Sequence, residues 1–567
     1  MKLSLPLPLK NVLKNVIFFY SVLIGVIYPP LVLLLDSIER GKTILAPIQF
    51  FTTDTFYYLT IARHSANKPF YTADGLFPTN GFHPLWEFLL TSLFQLRTFA
   101  GNDVSQMLLV FGISLVLVAI GTILFAFVVY KLTRNFAVAL LASVPGFYYL
   151  TFVSAITPSY NSVWAYMNGM ESPLSICLFG ITLYLLINKK LLYHPTIPAM
   201  MILSLMITLL IFSRLDNAFL LIPYLGMLYL FSDHKKEALI RISISAALPG
   251  ITLLIYLSYN HAQYGSFLPV SGMIKQGNYF ITNFGYFITS FIAVGLINAR
   301  TLWSETTMRA LQMCVPILLA IPWLIHFQKS INNGNWKSWA RNHYIKTILI
   351  FLLAYVIIMG LYNLLFVFLM AQGHWYYPLS IMIINLMIAL FLAGLLRKTS
   401  SSKLLAVINV AAVLAVLLYA NSFVDYKETS KYNSEFYALW TQKKTANQQL
   451  SKINTNMKIV EYDDGILSYL LNPPTMNGFG YTLDYEAYKA QITGHFLELA
   501  YARGFNVIGV MDYIKLPLNI DNDSDQIRVV LQNMAGIRLE NLNSWTFKII
   551  YRVPNTNAAF IEFRKRY

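Results

Sequence analysis

Charge is what this sequence has least of. Only 12% of its residues are Asp, Glu, Lys or Arg, roughly half the share of an average soluble domain. Acids are scarcer than bases, 26 against 42, which leaves a net charge of +16. Cysteine is rarer still: Cys177 and Cys314 are the two in 567 residues, and both fall in apolar runs where a thiol behaves as a small hydrophobe. Neither a disulfide framework nor a zinc motif can be built from them. In place of charge the chain has 56% hydrophobic residues, with 37 Tyr, 39 Phe and 9 Trp, and a mean hydropathy of +0.54. These figures fit a polytopic α-helical membrane protein, whose spans each need about 20 apolar residues. The positive excess then reports topology, because Lys and Arg collect on cytoplasmic loops. Nucleic acid is not an expected partner.

Apolar runs long enough to span lie near 15–35, 104–130, 136–157, 172–187, 196–213, 216–231, 239–259, 308–327, 346–370, 377–396 and 404–421, eleven in all. The first, Val16 to Leu35, is too long for a signal peptide and lacks a small-residue cleavage site, so it is expected to stay as a span. With a cytoplasmic N-terminus, the inner segments 1–14, 131–135, 188–195, 232–241, 328–346 and 397–403 hold 17 Lys and Arg and two acids, Asp233 and Glu237. The outer segments and spans up to residue 421 hold nine of each sign, so the bias marks one side. Residues 1–421 therefore read as a membrane module. From 422 to 567 there are 16 basic and 15 acidic residues and no spanning run, which reads as a soluble α/β domain on the outer side. Its expected elements are an amphipathic segment Ser434–Ile453, the strands MKIVEY and FNVIGVM, a helical stretch Asp484–Arg503, and strands Thr546–Val553 and Ala558–Arg564.

The outer loop 36–103 carries the most chemistry. Asp54 precedes an aromatic run, Phe56 to Ser65, that reads as an amphipathic helix near the membrane surface. A carboxylate there is either a general base or a helix N-cap. Arg63 and His64 follow, facing a phosphate or snorkelling to the interface. The run Pro84–Leu96 is too short to span and reads as interfacial or re-entrant. Glu171 is the one carboxylate between Asp103 and Asp216; it serves a substrate or the dipole of the helix it precedes. Arg214 and Asp216 form a tight outer turn, a functional pair or a local ion pair. Lys275 follows Pro269 and Gly272 in an outer loop and suits a phosphate. His374, Trp375 and Tyr376 open the tenth span, where aromatic belts are common. All of these are expected on one face. A candidate base, cations for a phosphate and aromatic surface for a sugar or lipid suit transfer from a membrane-embedded phosphate ester.

Several motifs stand in order: Thr53-Asp54, FYYLTIAR, the run Thr79-Asn80-Gly81-Phe82-His83-Pro84-Leu85-Trp86, Asn168-Gly169-Met170-Glu171, Arg214-Leu215-Asp216, and Pro269-Val270-Ser271-Gly272 with Lys275. In these the chain resembles the GT-C superfamily of integral-membrane glycosyltransferases, which use polyprenyl-phosphate sugars as donors. Tyr462-Asp463-Asp464-Gly465 and FNVIGVMDY are similar to the outer domain of arabinofuranosyltransferase-like bacterial members. The resemblance implies a multi-pass enzyme of the bacterial inner membrane that inverts the anomeric centre, with Asp54 as general base. It implies Lys275, Arg214 and Arg63 at the donor phosphate, and Glu171, His83, Asn80, Trp86, His374 and Tyr376 at the substrates. The acceptor would be a glycan, a lipid or a surface protein such as pilin. The family's acidic pair is here a single acid, because Thr53 fills the first position, which weakens the case for a divalent metal; no cofactor is expected.

Two other classes compete. A transporter or flippase of a lipid-linked sugar should carry mid-membrane charges and broken helices in matched halves, whereas the charges here sit at the outer edge. A non-catalytic scaffold would use the outer domain for binding alone. The charge bias makes the topology testable: a phosphatase fused after Tyr567 should be active outside the cytoplasm, and a cytoplasm-restricted reporter there should be silent.

Overall fold

A computed structural model describes residues 22, 25–42, 44–96, 102–143, 166–192, 196–232, 234–277, 342–367, 376, 378–396, 431–462, 465–511, 523–532, 542–554, 556 and 558–566, with scattered residues of 280–285, 321–332 and 404–418. The chain divides into two compact units. The first comprises 1–41, 111–253 and 276–428; the second comprises 42–110, 254–275 and 429–567. Most of the first outer loop and the segment that ends at Lys275 thus belong to the same unit as the C-terminal residues.

Among the described residues, four helices are long and apolar enough to cross a membrane: Asp103–Thr133, Lys235–Tyr264, Tyr344–Phe366 and Pro378–Leu396. Three other expected spans are shorter helices. Ser172–Leu183 runs on into a π turn, Tyr184–Asn188; Ile197–Ser213 has 17 residues; Leu215–Leu220 is a 3₁₀ turn leading into the helix Leu221–Leu230. The expected span 308–327 lies almost wholly outside the described residues, as do parts of 15–35, 136–157 and 404–421.

Hydroxyls buried in the first unit turn back on their own helices. Thr122, Thr182, Thr208 and Ser232 each donate to the carbonyl four residues earlier, at 2.6 to 2.8 Å, which removes a donor that hydrocarbon could not satisfy. Where helices break, side chains take over. Tyr344 Oη donates to Leu186 O at 2.8 Å and accepts from Leu192 N–H at 3.2 Å, covering the π turn. Asn217 Nδ2 donates to Leu210 O at 3.0 Å while its Oδ1 accepts from Tyr355 Oη at 3.0 Å.

In the second unit a five-stranded sheet has the order β2-β1-β3-β5-β4, with β1 Ile459–Tyr462, β2 Thr475–Asn477, β3 Val507–Val510, β4 Trp545–Arg552 and β5 Ala559–Lys565. β2, β1 and β3 are parallel, with Ile459 opposite both Thr475 and Val507; β5 runs antiparallel to β3 and β4. The parallel strands are buried along their whole length, which is why they read as short continuous apolar runs. The expected helical stretch Asp484–Arg503 is two helices, Tyr485–Ile492 and Phe496–Ala502. Gly494, at φ +77°, turns the chain between them. Asp484 caps the first, accepting from Glu486 and Ala487 N–H.

The sharpest packing constraint in the first unit is a pair of glycines. A Cβ on Gly180 would lie 2.6 Å from Gly121 O, and one on Gly121 would lie 2.6 Å from Ile176 O. The helices holding them meet backbone to backbone, the small-residue contact of membrane helices. Gly180→Ala should therefore overpack the contact and cost about 1–3 kcal/mol, read as a lowered unfolding midpoint in detergent. Gly112→Ala, where nothing stands within 4 Å, should leave the midpoint unchanged.

Candidate active site

Asp54 stands partly exposed at the start of the helix Thr55–Ser65. Its side chain makes no capping hydrogen bond, so of the two roles open to it in the sequence, the cap is not taken. The helix itself is not the amphipathic surface element expected from the sequence. Nine of its eleven residues are buried, because C-terminal residues cover it. Phe56 stacks on Phe436 with ring centroids 4.9 Å apart and meets Tyr469 at 5.5 Å. Tyr57 Oη accepts from Asn477 Nδ2 at 2.9 Å. Gly465, at φ +94°, comes so close that a Cβ would lie 2.6 Å from the Tyr57 ring.

Tyr57 leads from Asp54 toward Lys275. Its ring meets that of Tyr481 at 6.1 Å, and Lys275 Nζ lies 4.7 Å from the centre of the Tyr481 ring, a cation–π distance. Lys275 ends the helix Val270–Lys275, whose first residue is buried in the core of the sheet's helical layer. Asn80 holds that helix in place: its Oδ1 accepts from Val270 N–H at 3.1 Å and its Nδ2 donates to Leu268 O at 3.4 Å. Thr79 Oγ1 donates to Leu483 O at 3.1 Å. Gly81 must be glycine, since a Cβ there would sit 2.0 Å from Tyr481 O.

The Thr79-Asn80-Gly81 run is thus a brace between the Lys275 helix and the Tyr481 segment, and Asn80 is buried within it. Trp86, also expected at a substrate, has no exposed surface and is a core side chain. His83 is partly exposed before Pro84, at the start of the helix Pro84–Phe94. Arg63 is partly exposed, and its donors are met by protein. Its Nη1 donates to Tyr469 O at 2.8 Å, its Nε and Nη2 to Gln106 Oε1 at 3.1 and 2.7 Å, and its Nη2 also to Asp103. The guanidinium lies 4.0 Å from the Tyr469 ring centre. These bonds tie the far end of the Asp54 helix to Asp103, Gln106 and Tyr469.

The first unit brings Glu171, Arg214, Asp216 and Tyr376 together. Arg214 forks onto Asp216, Nε to Oδ1 at 3.2 Å and Nη2 to Oδ2 at 3.0 Å, and its Nη1 donates to Glu171. Its guanidinium carbon lies 5.4 Å from the Tyr376 ring centre. Glu171 is fully buried and Arg214 nearly so. Two carboxylates on one guanidinium leave a net negative group, which holds Arg214 firmly but offers a phosphate repulsion along with attraction. His374, Trp375, Asp463 and Asp464 lie outside the described residues. Among the described residues, no cluster of three or more His, Cys, Asp or Glu side chains is arranged to hold a metal ion.

One group escaped the sequence reading. Glu87, in the helix Pro84–Phe94, has no exposed surface. Thr91 Oγ1 donates to its Oε1 at 3.1 Å, and its Oε2 has no hydrogen-bond partner among the described residues. Its signal was available: a lone acid inside an apolar run. Burial raises its pKa well above the usual carboxylate value, and partial burial, with Glu87 nearby, pushes the Tyr71 hydroxyl up to about 12. Because the folded state holds this proton more tightly than the unfolded chain, the contribution of Glu87 to stability is greatest at low pH. It declines as pH rises from about 4.3 toward the raised value. Glu87→Gln, which copies the protonated acid, should flatten that decline between about pH 5 and 8 and not lower stability at pH 7. Melting curves of the two proteins across that range measure it.

No protein-family model matches the chain, and no curated protein matches it. In fold the chain is similar to the Archaeoglobus fulgidus oligosaccharyltransferase tethered with an acceptor peptide containing the NVT sequon, with 14% identity over 90% of this chain and 70% of that one and a TM-score of 0.42. It is also similar to ArnT from Cupriavidus metallidurans in the apo state, with 13% identity over 93% and 97% of the two chains and a TM-score of 0.40. The same ArnT bound to undecaprenyl phosphate gives 11% identity over 93% and 98%, with a TM-score of 0.38. At these values the likeness is one of outline, and no residue role is carried across.

Proposed function

We propose that the protein is an inverting glycosyltransferase that moves a sugar from a polyprenyl-phosphate donor to an acceptor hydroxyl on the extracytoplasmic face of a bacterial inner membrane. The observations that carry this reading are that Asp54 is partly exposed and that it shares one compact unit with Lys275, whose ammonium lies 4.7 Å from the centre of the Tyr481 ring. In the reaction proposed, Asp54 takes the proton of the acceptor hydroxyl as its oxygen bonds to C1 of the sugar. The bond from C1 to the phosphate oxygen breaks, and the electron pair leaves with the polyprenyl phosphate. Lys275 offsets the charge that develops there. The partly exposed Tyr481 supplies aromatic surface for the sugar.

The finer identity rests on the sequence. The resemblance favours arabinofuranose as the sugar and a glycan, lipid or pilin-like surface protein as the acceptor. The charge bias of the inner segments favours an outward-facing site. Glu171 and Arg214 remain proposed contributors, acting through a buried triad with Asp216.

The test is turnover by the purified chain of a panel of radiolabelled polyprenyl-phosphate monosaccharides, read as released polyprenyl phosphate. Asp54→Asn keeps the side chain's shape and removes its basicity. It should lower kcat by about 10² to 10⁴ with donor binding nearly intact. Lys275→Ala should raise the donor KM and also lower kcat, since leaving-group charge grows in the transition state. Wild-type turnover by the Asp54→Asn variant would overturn the assignment.

A further inference from the structure

The helix Lys235–Tyr264 ends in an exposed apolar tip. Past Tyr264, Gly265 takes φ +74° and turns the chain, as a glycine after a helix C-terminus does. Phe267 then folds back until its ring stacks on that of His261, with 4.4 Å between centroids and 28° between planes. The carbonyls of the tip are pinned. Asn260 Nδ2 donates to Phe267 O at 3.3 Å, and Leu268 O accepts from Ser266 Oγ at 3.0 Å and from Asn80 Nδ2 at 3.4 Å. The side chains are left outside: Phe267 is 55% and Leu268 45% exposed. A braced loop thus presents two large apolar residues in succession.

The place of the tip along the helix says what covers it. After Arg241 the next Asp, Glu, Lys or Arg is Lys275. From Ile242 to Asn260 the helix has 19 residues without a charge, a rise of about 28 Å. That is close to the roughly 30 Å of bilayer hydrocarbon. With Arg241 at one boundary, the other falls near Tyr259, Asn260 and His261. Phe267, folded back onto His261, lies at that second boundary. His261 is also seven residues beyond Leu254 and so on the same helix face. Leu254 and Ile255 are 66% and 63% exposed, as the lipid-facing stripe of a span is.

We propose that Phe267 and Leu268 form an interfacial anchor that inserts into the lipid leaflet around this end of the helix. Single exposed hydrophobics are common on protein surfaces; here two adjacent ones are fixed at the depth where lipid replaces water. Bilayer lipid is the occupant the geometry favours, because the tip continues a helix face that hydrocarbon already covers. The anchor also fixes a depth for Lys275. Ser266 Oγ lies 3.4 Å from Met273 Sδ, and Asn80 ties Leu268 to Val270, so the tip and the helix Val270–Lys275 are braced as one piece. The first charge after the apolar stretch is then held at the level of lipid phosphates. That consequence rests on the glycosyltransferase reading; the anchor itself does not.

The full chain, with Cys177→Ser and Cys314→Ser, takes a nitroxide label through Phe267→Cys or, as a control, through Ser451→Cys at an exposed position of the C-terminal segment. Each is reconstituted into vesicles of phosphatidylglycerol and phosphatidylcholine. At 267, collisions with oxygen should exceed those with a water-soluble nickel chelate severalfold; at 451 the order should reverse. The same order at both positions would overturn the proposal. So would low accessibility to both reagents at 267, the mark of a protein partner, or an apolar environment there only after polyprenyl phosphate is added, the mark of the donor's own tail. In turnover, Phe267→Ser with Leu268→Ser should raise KM about tenfold for a long-chain polyprenyl donor in the vesicles. It should leave kcat, and KM for a short-chain water-soluble donor, unchanged. No shift, or equal shifts for the two donors, would overturn the depth role of the anchor. Absence of turnover by the wild-type chain would instead overturn the glycosyltransferase reading, and the nitroxide measurement would still decide the anchor.

Discussion

Burial of the helix Thr55–Ser65 is the constraint on which the second unit depends. A short helix with an arginine in its last turn does not enter a protein interior unless that charge is met, because an unpaired buried cation is costly. Asp103, Gln106 and Tyr469 meet it, and Asp103 is shared with Lys443. Residues far apart in sequence must therefore be fixed at once: the outer loop, the first turn of the helix Asp103–Thr133 and the C-terminal segment. The other end of the helix is clasped by Gly465 and Asn477. With both ends held, the backbone at Asp54 is fixed in place, as the proposed general base would need, since a small misplacement is expensive.

Lys275 is positioned by a separate device with the same logic. A flexible ammonium gains direction from its surroundings, and here they are built from backbone. Asn80 spends its amide on Leu268 and Val270, Gly81 leaves room for the Tyr481 carbonyl, and the Tyr481 ring is then set beneath Nζ. The motif that carries the family resemblance is thus most informative about positioning. Its polar residues hold segments together, and its tryptophan fills a core.

Much of this was legible in the sequence, and the failures have physical causes. Long uniform runs such as 104–130 and 377–396 read correctly as helices because nothing in them interrupts the apolar stretch. β1 and β3 fall within MKIVEY and FNVIGVM because β-branched residues cluster there, whereas β2 is three residues, Thr475-Met476-Asn477, and gives no period to count. The helix after Asp54 was misread as amphipathic because its cover comes from Phe436, Tyr469 and Asn477, roughly four hundred residues away. The partners of Arg63 were not legible for the same reason: Asp103, Gln106 and Tyr469 are tertiary neighbours. Asn80 showed its importance in sequence but not its job, because a side chain that braces backbone and one that binds substrate are spelled alike.

The acids of the second unit show why position, more than residue type, singles out Asp54. Asp74 accepts from Thr72 Oγ1 and from the N–H groups of Leu76 and Phe77, and so shapes a turn. Asp103 bridges Arg63 and Lys443, and Asp484 caps a helix while holding Arg503. Glu87 has no exposed surface through which to meet an acceptor. Each of these carboxyls answers a demand of the fold and is enclosed by the groups that make it. Asp54, the proposed base, stands partly exposed at the start of a helix that is otherwise largely buried. A carboxylate there gains the rigidity of the interior without being sealed inside it. That is the combination the proposed general base requires.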